Sequence, residues 1–207
     1  MGTAKVFNAT LYNDSTRLSF DSLSIKSMIV NDKKYLSVQS NELDASLAGK
    51  FKIQELPDAF KIFLSRYYPS YIQKPAYTIN NQDFSFSIHT KYVNDYVKLI
   101  NEKLQGFDNA QITGNLKLDS NLLSVNAFIP SFSYDEKTFI TTKLESEGNI
   151  DSLLAKISIG NVGITDSLHF PASDLTIRSA NNVSNIELKT SGSKTINKAE
   201  LNASINA

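Results

Sequence analysis

Leu43-Asp44-Ala45-Ser46-Leu47-Ala48-Gly49-Lys50-Phe51-Lys52-Ile53 is the stretch whose reading decides the fold class. Leu43, Ala45, Leu47, Gly49, Phe51 and Ile53 share one parity, and Asp44, Ser46, Lys50 and Lys52 hold the other. Successive side chains of a strand point to opposite faces, so this run is a strand with one apolar and one wet face. The pattern returns along the chain. Phe84, Phe86 and Ile88 alternate with Ser85 and Ser87. Ile112, Leu116 and Leu118 share a parity, as do Ile186 with Leu188, and Leu201 with Ala203 and Ile205. Alternation repeated to this extent predicts a mainly β protein built on a large antiparallel sheet with a single apolar side.

Towards the N-terminus, Val6 to Tyr12 reads as a strand, Asn13-Asp14-Ser15 as a turn, and Leu18, Phe20, Leu23 and Ile25 as a continuation of the sheet. Asn31-Asp32-Lys33-Lys34 turns the chain into Tyr35-Leu36-Ser37-Val38. Beyond Ile53 the period changes. Leu56, Phe60, Phe63, Leu64 and Tyr67 fall at helical spacing, Pro57 suits a first turn and Pro69 follows, so an amphipathic helix is predicted near 56–68. A second is predicted near 91–105, with Thr90 as N-cap, Val93, Tyr96, Val97, Ile100 and Leu104 on one stripe, and Gly106 as the left-handed C-cap. From Gln111 only strands are expected, ending in Ile196 to Ile205. The domain reading is one β-rich unit over 1–207: strands in 1–55, a helix–strand–helix insertion in 56–109 and a meander in 110–207. Its end inside an alternating run is read as that of a segment of a longer, repetitive protein.

Composition narrows the function. Lys and Arg total 21 and so do Asp and Glu, a balance that argues against nucleic acid as a partner, since neutralising phosphates takes a basic excess. The chain has no cysteine, which excludes disulfides, thiolate metal sites and cysteine nucleophiles. Met1-Gly2-Thr3-Ala4-Lys5 is not a signal peptide, and no run approaches the roughly 18 apolar residues of a membrane helix. The two histidines, His89 and His169, lack ligand-type partners at metal-site spacing and are read as exposed surface residues. Asp135-Glu136 is read as a hairpin turn rather than a catalytic carboxylate pair. No phosphate-cradling glycine loop or nucleophile elbow is present. The expectation is therefore a protein that is not an enzyme, with no cofactor and no metal, that acts through its apolar face. Leu43, Leu47, Phe51, Phe84, Phe86, Ile88, Leu116, Leu118, Ile157 and Leu188 are the candidate lipid-facing or core positions.

The stretch from Ser40 to Phe51, followed by Leu56-Pro57 and by Phe63-Leu64-Ser65-Arg66-Tyr67-Tyr68-Pro69, resembles the Bacteroidetes branch of the TamB family, the translocation and assembly module subunit related to AsmA-like envelope proteins. Ile112-Thr113-Gly114-Asn115-Leu116-Lys117-Leu118 and Leu188-Lys189-Thr190-Ser191-Gly192 fit the same style. The resemblance is to an internal fragment. It implies a periplasmic parent protein anchored in the inner membrane, an outer-membrane barrel as partner of that parent, and a large curved antiparallel sheet, a taco-like β-groove meander whose apolar lining holds phospholipid or another acyl-chain ligand. The implied role is outer-membrane biogenesis, through phospholipid movement between membranes or outer-membrane protein assembly. The alternative is an interaction scaffold with a closed, dry core and no ligand.

Overall fold

The computed structural model describes residues 2–13, 16–191 and 198–206. The chain opens with β1 (Gly2–Asn13), β2 (Thr16–Val30), β3 (Lys33–Ser40) and β4 (Leu43–Lys50). A single 3₁₀ turn over Ile53–Glu55 leads into α1 (Leu56–Leu64). Then come β5 (Asp83–Thr90), α2 (Asn94–Ile100), the short β6 (Leu104–Gly106) and β7 (Gln111–Lys117). The rest is strand: β8 (Leu122–Tyr134), β9 (Lys137–Gly148), β10 (Leu153–Gly163), β11 (His169–Ala180), β12 (Val183–Ser191) and β13 (Lys198–Asn206). All belong to one antiparallel, 13-stranded sheet whose neighbours follow chain order, with β6 off the path beside β8. The sheet is mainly β architecture left open, not a barrel. Between α1 and α2, β5 pairs with β4 on one side and β7 on the other.

Turn chemistry explains the meander. Asn31-Asp32, Asp135-Glu136 and Asn181-Asn182 each take positive φ at both residues and close two-residue hairpins. Asn and Asp tolerate that conformation because a short polar side chain can bond locally. The expected turns at 31–34 and 133–137 are thus present, whereas Asp14-Ser15 and Ile196 lie outside the described residues.

The structure corrects several expected boundaries. β4 ends at Lys50, so alternation stops before Ile53, which is 54 % exposed rather than inward. α1 ends at Leu64, where Ser65 caps it and its hydroxyl bonds the Ile62 carbonyl at 3.0 Å. α2 is confined to Asn94–Ile100 because Asn101 turns to an extended backbone. Thr90 does not cap it; its hydroxyl binds the Phe107 carbonyl and accepts the Ala110 N–H at 2.7 Å. Leu104 lies in β6, and Ile100, at 81 % exposure, faces away from the core. Gly106 does adopt a left-handed backbone (φ 88°), but inside β6, where a Cβ would sit 2.9 Å from the Phe132 Cα.

A phase change crosses the sheet. Pro130, Thr141, Gly160 and Ala172 stand level on β8 to β11, between positions that pair on either side, and Thr141 and Ala172 have φ of 56° and 52°. Alternation holds only while the backbone stays extended, and the apolar parity shifts at this line. In β8 it passes from Val125, Ala127 and Ile129 to Phe132; in β10 it passes from Ile157 and Ile159 to Val162. Asn8 (φ 51°) and Asp21 mark the same break between β1 and β2. Beyond the line Phe132 stacks on Phe139 (4.7 Å between ring centres) and packs on Phe107 (4.9 Å).

Candidate functional site

The pairing register assembles the site. Ala4, Ile25, Val38, Ala45, Ile88 and Ile112 lie opposite one another in turn across β1, β2, β3, β4, β5 and β7. The row continues through Ala127, Leu144, Ile157, Leu175, Leu188 and Leu201 on β8 to β13. Every strand of the main path contributes one aliphatic residue, and none contributes a polar one. The register one residue away is the reverse: Thr3, Lys26, Ser37, Ser46, Ser87 and Thr113, then Asn126, Glu145, Lys156, Thr176, Glu187 and Asn202. One-residue spacing puts these two rows on opposite faces, so the sheet is a bilayer of side chains, greasy on one side and wet on the other.

α1 covers one end of the greasy face. Phe60 meets Phe84 and Phe86 edge-on, with ring centres 6.0 and 6.2 Å apart. Phe63 is fully buried and occupies the space Gly148 leaves open: a Cβ there would lie 2.7 Å from the Phe63 ring. Past the helix, the Tyr67 hydroxyl binds the Asn149 carbonyl, and Tyr68 reaches Ser179 at 2.6 Å, which in turn contacts Ser184 at 2.8 Å. The helix and its exit therefore span the sheet from β5 to β12. Burial raises the Tyr67 phenol above its ordinary value. Tyr77, on the loop after α1, hydrogen-bonds Asp58, and this bond together with Lys61 holds that carboxyl below its ordinary value.

Beside α1 the same face opens into a pocket of ≈350 Å³ lined by Leu36, Val38, Ala45, Leu47, Leu56, Phe60, Phe86 and Ile88. Two residues along the strands from the row, beside Val38, Leu144, Leu175 and Leu188, stand hydroxyls. Ser40 accepts the Glu42 and Leu43 N–H groups at 3.1 Å each, whereas the Thr142, Ser173 and Thr190 hydroxyls are buried without partners. Near the β3–β4 turn, Tyr96 packs on Phe20 and hydrogen-bonds the Ser19 carbonyl at 3.1 Å. Burial, with the Glu42 carboxylate as second cause, pushes its phenol up to about 12.

The ten sequence-derived positions divide. Phe51, Phe84, Leu116 and Leu118 are in the buried core closed by α1, with Phe51 meeting Phe84 edge-on. Leu47, Phe86 and Ile88 line the open pocket. Ile88, Ile157 and Leu188 stand in the aliphatic row, half-buried, and Leu43 is half-buried opposite Thr90. Val38, Ala127, Leu144 and Leu175 were not singled out by sequence; their signal is register, which emerges only when strands are paired. His89 is exposed on the polar face opposite Asp44 and Gln111. His169 is also exposed and bonds Asn161 and the Asp166 carbonyl. Among the described residues there is no cluster of three or more His, Cys, Asp or Glu able to hold a metal, and no helix long and apolar enough to cross a membrane.

No family model, curated protein or solved structure matches the chain.

Proposed function

We propose that this chain is a segment of a periplasmic, envelope-spanning protein that shields lipid acyl chains on the apolar face of its sheet. The observation that carries the reading is the unbroken aliphatic row from Ala4 to Leu201, half-buried from Ile25 to Leu188 and exposed at Ala4 and Leu201, beside the base that α1 closes. An apolar patch running the width of such a sheet is unusual for a soluble monomer and calls for a cover. An acyl chain supplies one. Each CH₂ moved from water onto the face contributes roughly 0.8 kcal/mol, and no residue needs to perform chemistry. The ≈350 Å³ pocket beside Phe60 offers the chain a recess within the size range of small-ligand sites. The resemblance to the TamB family supports the same reading. It implies, for the parent protein, a role in phospholipid transport between membranes or in outer-membrane protein assembly, with an outer-membrane barrel as partner.

A scaffold with a dry core is the second reading, and the closed base favours it: Phe63, Tyr67 and Leu116 are fully buried beneath and around α1. Native mass spectrometry of protein purified without detergent and mixed with phospholipid separates the two. Stoichiometric lipid adducts support the lipid reading. A folded protein that carries no adduct at any lipid concentration returns the scaffold.

A further inference from the structure

Phe60 and Ile62 are two residues apart in α1 and so point to nearly opposite sides of the helix. Phe60 lines the apolar pocket, whereas Ile62 lines a second, more polar recess of ≈520 Å³ between the exit of α1, the loop before β5 and the β7–β8 turn. Bonds on every side hold this recess in shape. The Tyr77 hydroxyl bonds Asp58 and Ile79 is buried, which ties the loop to the helix. The Asn81 N–H donates to the Asp119 carboxylate at 3.3 Å, and the Leu118 N–H donates to the Gln82 carbonyl at 2.9 Å, which ties the loop to the turn. Ile62, Ile79 and Leu118 give the recess a buried apolar side.

We propose that this recess binds a phosphate group, with Arg66 and Lys74 as its cationic contacts. The first ground is charge without a partner. Lys52 and Lys61, the other cations beside α1, are paired with Glu55 at 2.9 Å and Asp58 at 3.1 Å. Arg66, half-buried just past the helix cap Ser65, and Lys74, exposed on the loop, form no ion pair among the described residues. Asp119 is the one carboxylate lining the recess among those residues, so positive charge is in excess there. A half-buried guanidinium with its donors unmatched favours an anion. The second ground is direction. Arg66 comes from the helix exit, whereas Lys74, Thr78 and Asn80 come from the loop. The oxygens of a phosphate accept from several directions at once, and the guanidinium fork can engage two of them. The third ground is shape. The volume lies in the range of small-ligand sites, and the bonds that fix the loop leave little to be ordered on binding. The phosphate belongs either to a soluble phosphate compound or to a lipid headgroup.

Calorimetric titration of the whole chain with inorganic phosphate at low salt and pH 7 tests the proposal. Saturable binding is expected. Arg66→Gln should weaken it at least tenfold and Lys74→Gln severalfold, whereas Lys61→Gln, which removes a lysine already paired with Asp58, should leave it unchanged. Circular dichroism confirms the fold of each variant, and Lys74→Gln, on the exposed loop, decides the matter if Arg66→Gln does not fold. Two further arms separate the sources. Flotation with vesicles of phosphatidylcholine and phosphatidylglycerol that is lost in Arg66→Gln assigns the site to a lipid headgroup. Binding of phosphate and glycerol 3-phosphate without flotation assigns it to a soluble phosphate compound. A folded wild type that shows no saturable binding at millimolar phosphate overturns the proposal, as does binding that Arg66→Gln and Lys74→Gln leave intact. Phosphate is titrated without any acyl chain present, so this outcome and that of the acyl-chain reading are distinguishable.

Discussion

The end of the sheet under α1 and the row across β9 to β12 are written in the same alternating code, yet only the first is a closed core. Phe84, Leu116, Leu123 and Leu153 at the base are buried by Phe60, Phe63 and Tyr67. Leu144, Ile157, Leu175 and Leu188, on the same face, are half-buried. Alternation specifies which way a side chain points and says nothing about what lies above it. The base has a cover supplied by its own chain because Gly148 admits Phe63 and because Tyr67 and Tyr68 tie the helix exit to the β9–β10 turn and to β11. The row has no such cover among the described residues.

Stability measurements can break this contrast. Phe63→Ala leaves a cavity in a close-packed site and is expected to cost about 3–5 kcal/mol in urea unfolding. Ile157→Ala removes atoms that are already partly wet and is expected to cost about 1 kcal/mol. Equal losses would mean that the row is as tightly packed as the base. The limit of the row is sharpened by Ala172→Gly. A left-handed backbone disfavours any residue with a Cβ, so this change is expected to stabilise by about 1 kcal/mol, whereas Ala180→Gly, at a residue without positive φ, should not. The smallest effect concerns pH. Tyr96 holds its proton to about 12 in the folded state, above the ordinary value of 10. Its contribution to stability is thus complete below pH 10 and lost as pH rises towards 12. Alkaline melting curves of Tyr96→Phe should show a shallower decline over that window than the wild type.

The sheet, its antiparallel sense and its apolar parity were legible because a period of two leaves a strong local mark, as in Leu43 to Phe51 and Phe84 to Ile88. The helical period at Leu56 to Leu64 was equally plain. The length of α2 was not. Ile100 and Leu104 continue the spacing of Val93 and Val97, but Leu104 pairs with Tyr134 and that tertiary contact overrides local preference. The phase change was written in the sequence as apolar residues three apart, Phe20 and Leu23 or Ile159 and Val162, and its cause becomes visible only in the left-handed residues beside them. The aliphatic row as a whole is a product of register, set by turns such as Asn31-Asp32 and Asn181-Asn182, and no single strand announces it.

Charge placed on the row tests the central claim most directly. Ile157→Asp and Leu188→Asp put a carboxylate on the apolar face away from α1, and Lys156→Asp and Lys189→Asp put one on the polar face a residue away. Titration with a fluorescent fatty acid should show at least a tenfold loss of affinity for the first pair and little change for the second. Equal affinity in all four folded proteins would contradict the account.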